Sequence, residues 1–189
     1  TRVSVSDLEA ELGRSALAGK IDYRLAPVAA LALDVESSRL DLTALAKGNV
    51  PDTRQLVPVL LEALTSAKLP AALAWLKTAD VALRLDRVKL ASHDVRDVDI
   101  RFAVSPQRLT ISRLALNTDD GLGITADARV TAKGGQPKGS ASFLVTATST
   151  AALERVADAL SLPADVRQRI AGNTYLLPVR LAGGIDLSR

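Results

Sequence analysis

The stretch DVALRLDRVKL, residues 80–90, alternates apolar and polar side chains, changes phase in its middle and then alternates again. Val81, Leu83 and Leu85 are odd-numbered, whereas Val88 and Leu90 are even. Successive side chains on a strand point to opposite faces, so the apolar row changes sides unless a bulge or bend near Asp86 and Arg87 absorbs one residue. The reading is a strand that bends, and it raises the question of what its apolar side covers.

Downstream the period of two persists. VRDVDIRFAV, RLTISRLAL, LGITADARVTA and GSASFLVTAT follow, separated by turn signals at SPQ, NTDDG and KGGQPKG. Five strands roughly ten residues apart predict an antiparallel sheet. Val98, Ile100, Phe102 and Val104 make one apolar row. Leu109 and Ile111 begin the next, which Leu114 and Leu116 continue after a second phase shift.

Upstream, RVSVSDLEAEL, GKIDYRLA and LALDVESSRLDL read as a meander of short strands. Residues 31–42 and 81–90 form a faint internal repeat: an alternating start, an Asp, an Arg and an alternating exit, with the phase disturbed midway in both. Between them the period changes. Leu56, Val57, Leu60, Leu61 and Leu64 share a helical face, Asp52 or Thr53 is placed to cap it, and Pro70 restarts the helix. A second helical stretch carries Leu153, Val156, Ala157 and Leu160 on one face, then PADVRQRIAG, opened by Pro163 and closed by Gly172.

The expected architecture is a single mainly-β unit with two helical segments, built on a long curved antiparallel sheet with an open apolar groove. Its expected parts are strands over 1–50, a helical insert over 52–77, strands over 79–148, a helical segment over 150–172 and a terminal strand over 175–188.

Composition agrees with such a surface. Of 189 residues 48% are hydrophobic, but only two Phe, two Tyr and one Trp are present, so Ala, Leu and Val supply the apolar area. The 24 basic and 21 acidic residues are dispersed and leave a net charge of +3. Basic clusters with aromatic support, which a nucleic-acid binder uses, are missing from the sequence; mild attraction to anionic headgroups is compatible with the charge. The absence of Cys fits cytosol and periplasm alike. The apolar run LVPVLLEALTSAKLPAALAWL is broken by Glu62, Lys68 and two prolines and does not read as a spanning helix. The sequence starts at Thr1 without Met, which suggests a fragment of a longer protein whose anchor or address lies elsewhere.

The chemistry of an enzyme is not legible. His93 is the one histidine, and Ser92, His93 and Asp94 are adjacent on a strand or turn rather than brought together as a triad. With one His and no Cys a zinc or iron site would have to be almost wholly carboxylate, which those metals rarely use alone, and no metal or other cofactor is expected. Asn117, Asp119 and Asp120 offer hard oxygens before Gly121, but the spaced carboxylates and distal Glu of a calcium loop are missing; a hairpin turn is expected. GLG and GGQPKG precede no helix that would make them phosphate cradles. Asp97 and Asp99, with Arg101, alternate with the apolar row and read as a solvated face.

The segment LAWLKTADVALRLDRVKLASHDVRDVDIRFAVSPQRLTISRLAL, continuing into GITADARVTA, together with LALDVESSRLDLTAL upstream, resembles the AsmA-like family of bacterial envelope proteins. The resemblance is a cadence of strand residues over about two thirds of the chain rather than a catalytic signature, and NTDDGLGI stands where family strands are often followed by glycines. It implies a periplasmic protein anchored to the inner membrane outside this segment. It also implies bridge-like lipid transfer without enzymatic chemistry: phospholipid acyl chains held in a β-groove, contributing to lipid transport or outer-membrane homeostasis. On that expectation Val81, Leu83, Leu85, Ile100, Phe102, Leu109 and Ile111 line the groove, with the bulges deciding which rows face inward. The competing expectation is a structural or assembly module of the envelope whose sheet edges recruit protein partners. Packing of residues 52–77 across the sheet favours that alternative, and a place at the rim favours lipid.

Overall fold

The computed structural model describes residues 2–12, 15–25, 30–42, 78–90, 94–105, 108–133, 136–170 and 173–187. The expected helical insert at 52–77, with its discriminating position, and His93 lie outside the described residues.

Among the described residues one mixed sheet of ten strands organises the chain, and it does not close into a barrel. The strands are β1 (Arg2–Leu12), β2 (Ser15–Arg24), β3 (Ala30–Ser37), β4 (Leu40–Asp41), β5 (Ala79–Lys89), β6 (Asp94–Ser105), β7 (Arg108–Thr118), β8 (Leu122–Lys133), β9 (Gln136–Ala147) and β10 (Val179–Asp186). They lie in the order β1-β2-β3-β5-β6-β7-β8-β9-β10, with β4 also on β5. Neighbours are antiparallel except that β3 and β4 run parallel to β5. The β8–β9 pairing reaches Lys133↔Gln136, so strands take up much of the expected KGGQPKG turn.

The two repeat segments lie beside each other in register: Leu33 pairs with Val81, Val35 with Leu83, Ser37 with Leu85 and, beyond the break, Leu40 with Val88. Their phase breaks, Ser38–Arg39 and Asp86–Arg87, are therefore aligned. Serines hold the break. The Ser37 hydroxyl donates to the Ala16 carbonyl at 2.6 Å and accepts from the Arg39 amide at 3.3 Å, while the Ser15 hydroxyl accepts from the Asp41 amide at 2.9 Å. Both serines are buried, so these bonds satisfy groups that water does not reach.

The break continues into β6 and does not displace the β5–β6 register: Leu85 pairs with Val98 and Arg87 with Arg96 on one unbroken count. Asp97, at φ 53°, lies opposite Asp86, and the register slips instead between β6 and β7, where Asp97 and Val98 oppose Leu116 alone. Asp tolerates this left-handed conformation better than most residues. The second phase shift is a bulge in β7, with Ser112 and Arg113 opposing Asp127 of β8. A third bulge, at Ser6 and Asp7, shifts β1 against β2.

Two helices follow β9: α1 (Thr150–Ala159) and α2 (Ala164–Ile170). Ser149 caps α1, its hydroxyl accepting from the Ala152 amide at 3.1 Å. At the other end Ser161, at φ 52°, donates to the Asp158 carbonyl, and the Leu162 amide reaches the Ala157 carbonyl at 3.0 Å. That double bond pattern closes a helix with a left-handed residue after the cap. Leu160 is the cap residue itself and is 43% exposed. It does not join the buried face of Leu153, Val156 and Ala157, which corrects the expected four-residue face. The terminal strand begins later than expected: Thr174–Leu176 form a short 3-10 turn, and β10 starts at Val179.

Residues NTDDG form the β7–β8 turn, as expected, and also seat α1. The Thr118 hydroxyl accepts from the Leu122 amide at 3.0 Å, the Ser149 hydroxyl donates to the Asp120 carbonyl, and Arg155 of α1 is ion-paired with Asp120. Gly121, at φ +92°, leaves no room for a side chain: a Cβ there would lie 2.4 Å from the Thr148 hydroxyl oxygen.

Candidate apolar site on the sheet

Residues paired directly across neighbouring strands share a face. Leu33, Val81, Phe102 and Ile111 are successive partners, as are Val35, Leu83, Ile100 and Leu114. The rows run on through Ala128, Ala141 and Ile185 on one flank and Ile21 and Val5 on the other. All ten strands contribute to one apolar face, because each phase shift coincides with a bulge or an aligned break that returns the apolar side chains to the same side.

The seven residues expected to line a groove all fall on this face. They differ in cover: Val81, Leu85 and Leu109 are buried, whereas Leu83, Ile100, Phe102 and Ile111 are partly buried. Val88, Leu90 and Val95 continue the row beyond the break and are buried with Leu85 and its partner Val98. Sequence reading omitted β8 from the lining set, although Leu122, Ile124, Ala126, Ala128 and Val130 are among the most deeply buried residues. Its signal was available: the alternation in LGITADARV has no phase break.

At one end α1 lies on the face. Ala152, Leu153 and Val156 pack with Leu122, Ile124, Val145 and Ala147, and Ile170 of α2 joins them. Phe143 lies over Gly183 of β10, where a Cβ would come within 2.3 Å of the ring. At the β1 edge the same face is exposed, with Val3 at 51% and Val5 at 40%.

The opposite face is ionic. Asp99 accepts from Arg101 Nε at 3.1 Å and from Arg113 Nε at 2.6 Å, which offsets the repulsion of two arginines paired across β6 and β7. Arg84 is bonded to Glu36 and lies 3.6 Å from Asp34. Arg2 binds Asp22 across β1 and β2. The hydrogen bond from Arg2 holds the Asp22 carboxyl below its ordinary value. Exposed pairs of this kind contribute little to stability, because water and salt screen them. Their larger effect is to fix which side faces water.

Among the described residues no group of three or more His, Asp or Glu is placed to hold a metal ion, and no helix is long and apolar enough to cross a membrane. Comparisons with protein-family models, curated proteins and solved structures give no match to this chain.

Proposed function

We propose that the apolar face binds phospholipid acyl chains, and that the protein supports lipid transport or outer-membrane homeostasis in a bacterial envelope without performing a chemical reaction. The observation that carries this reading is the continuity of the face: ten strands keep their apolar side chains on one side through every phase shift, and the face reaches the β1 edge with Val3 and Val5 exposed. An apolar surface of that breadth favours an apolar occupant. Each acyl methylene withdrawn from water contributes about 0.8 kcal/mol, so an acyl chain is held without a directional contact. The dispersed charges of the other face keep that side in water. The cadence shared with AsmA-like proteins supports the same reading, and with it a periplasmic location and an inner-membrane anchor outside this chain.

A second reading, an assembly module joined through sheet edges, is favoured by one observation. Neither β1 nor β10 has a strand paired on its outer side among the described residues.

The test of lipid binding is native mass spectrometry, with organic extraction, of the chain purified from bacterial cells beside a Leu83→Asp, Phe102→Asp variant shown by circular dichroism to remain folded. Co-purified phospholipid that the variant loses is the expected result. A wild type that carries no lipid and takes none up from added phospholipid defeats the reading.

A further inference from the structure

The two sheet edges match each other. Following the strand directions from β1 through the parallel step at β3 and β5, β10 runs antiparallel to β1. A second copy displaced sideways by one sheet width therefore brings its β1 against β10 in the antiparallel sense, with both apolar faces on the same side.

We propose that the outer edge of β10 accepts β1 of a second copy of this chain, extending the sheet from molecule to molecule. Alternation restricts the register, because apolar positions must meet apolar positions. With Leu181 opposite Leu8, the β1 bulge at Ser6 and Asp7 falls opposite Ala182, as it falls opposite Lys20 within the molecule, and Ile185 then meets Val3. This register also places Arg180 opposite Glu9 at one end and Asp186 opposite Arg2 at the other. The opposite charges of Arg180 and Glu9 favour this pairing, and a slip by one residue brings polar side chains onto the apolar face. Val3 and Val5, exposed in the single chain, gain cross-strand neighbours. The contact is heterologous, joining two different edges, so it builds an open series of oligomers rather than a symmetric dimer. It stands independently of whether lipid occupies the face.

Sedimentation velocity over a concentration series tests it, using wild type, Glu9→Arg, Arg180→Glu and the double variant. Glu9 and Arg180 are both exposed, so the fold tolerates their exchange, and circular dichroism checks this. Wild type is expected to form a ladder of species that grows with concentration. Each single variant weakens association by about tenfold, and the double variant restores it. An equimolar mixture of the two single variants also associates, because each supplies the charge that the other lacks. A wild type that stays monomeric at every concentration overturns the proposal, and so does an association that the single variants leave unchanged or that neither the double variant nor the mixture restores.

Discussion

Leu122 and Val5 lie on the same face of one sheet, yet Leu122 is 1% exposed and Val5 is 40%. The strand patterns around them are alike: each sits in an alternating row paired on the apolar side. The difference is cover. Leu122 lies under α1, which the β7–β8 turn seats through Asp120, Thr118 and Gly121. Val5 is on an edge strand with β2 on one side. Alternation therefore assigns a residue to a face, and a separate element decides how far that position is taken out of water. The covered end acts as a hydrophobic core, and the β1 end as a surface.

The largest effect that sharpens this contrast comes from truncating matched positions. Leu122→Ala removes a buried side chain from a packed cluster and is expected to cost about 3 kcal/mol in chemical denaturation. Val5→Ala is expected to stay within about 0.5 kcal/mol of wild type. Equal costs at the two sites would erase the distinction between core and surface. A smaller effect is expected at the device that seats the cover: Gly121→Ala forces a Cβ into the left-handed backbone and against Thr148, for about 2 kcal/mol. A neutral result in the same assay would show that the turn does not hold α1 in place.

Much of this face was legible in the sequence because face assignment is a local property. The odd-to-even changes at Leu85/Val88 and at Ile111/Leu114 mark two of the places where the chain departs from simple pleating; the bulge at Ser6 and Asp7 of β1 is another. Which strand carries the register slip was not legible. At Asp86–Arg87 the slip is passed on to Asp97, since β3, β4 and β6 all follow β5, and that depends on neighbours. The parallel pairing of the repeat segments was equally hidden, because two similar strands can be joined by a hairpin-like or a crossover path, and residues 31–42 and 81–90 read the same either way. Leu160 was assigned to the helical face by its spacing; Ser161 ends the helix in a left-handed turn one residue too soon for that. The seven residues of the expected lining share one face, and their spacing carries no information on depth. Sequence spacing cannot show that α1 buries the β8 end while Phe102 and Leu83 stay partly exposed.

The smallest effect tests what stabilises the exposed end in place of burial. There the polar face carries Arg2 bound to Asp22, with Ser4 Oγ donating to the same carboxylate at 3.1 Å. Asp22 is held below its ordinary carboxylate value in the folded chain, foremost by the Arg2 hydrogen bond. The unfolded chain has no such partner and takes up the proton first as pH falls. The contribution of this pair is therefore complete above the ordinary carboxylate range, declines as pH drops into that range, and is gone below the folded value. Thermal denaturation of wild type and Arg2→Ala as a function of pH is expected to show a gap at neutral pH that narrows through the acid range and shrinks with added salt. Curves that remain parallel down to low pH would mean that the pair does not hold β1 to the sheet. Among the described residues the edge would then depend on backbone pairing with β2, and the two ends of the sheet would differ more than their shared pattern implies.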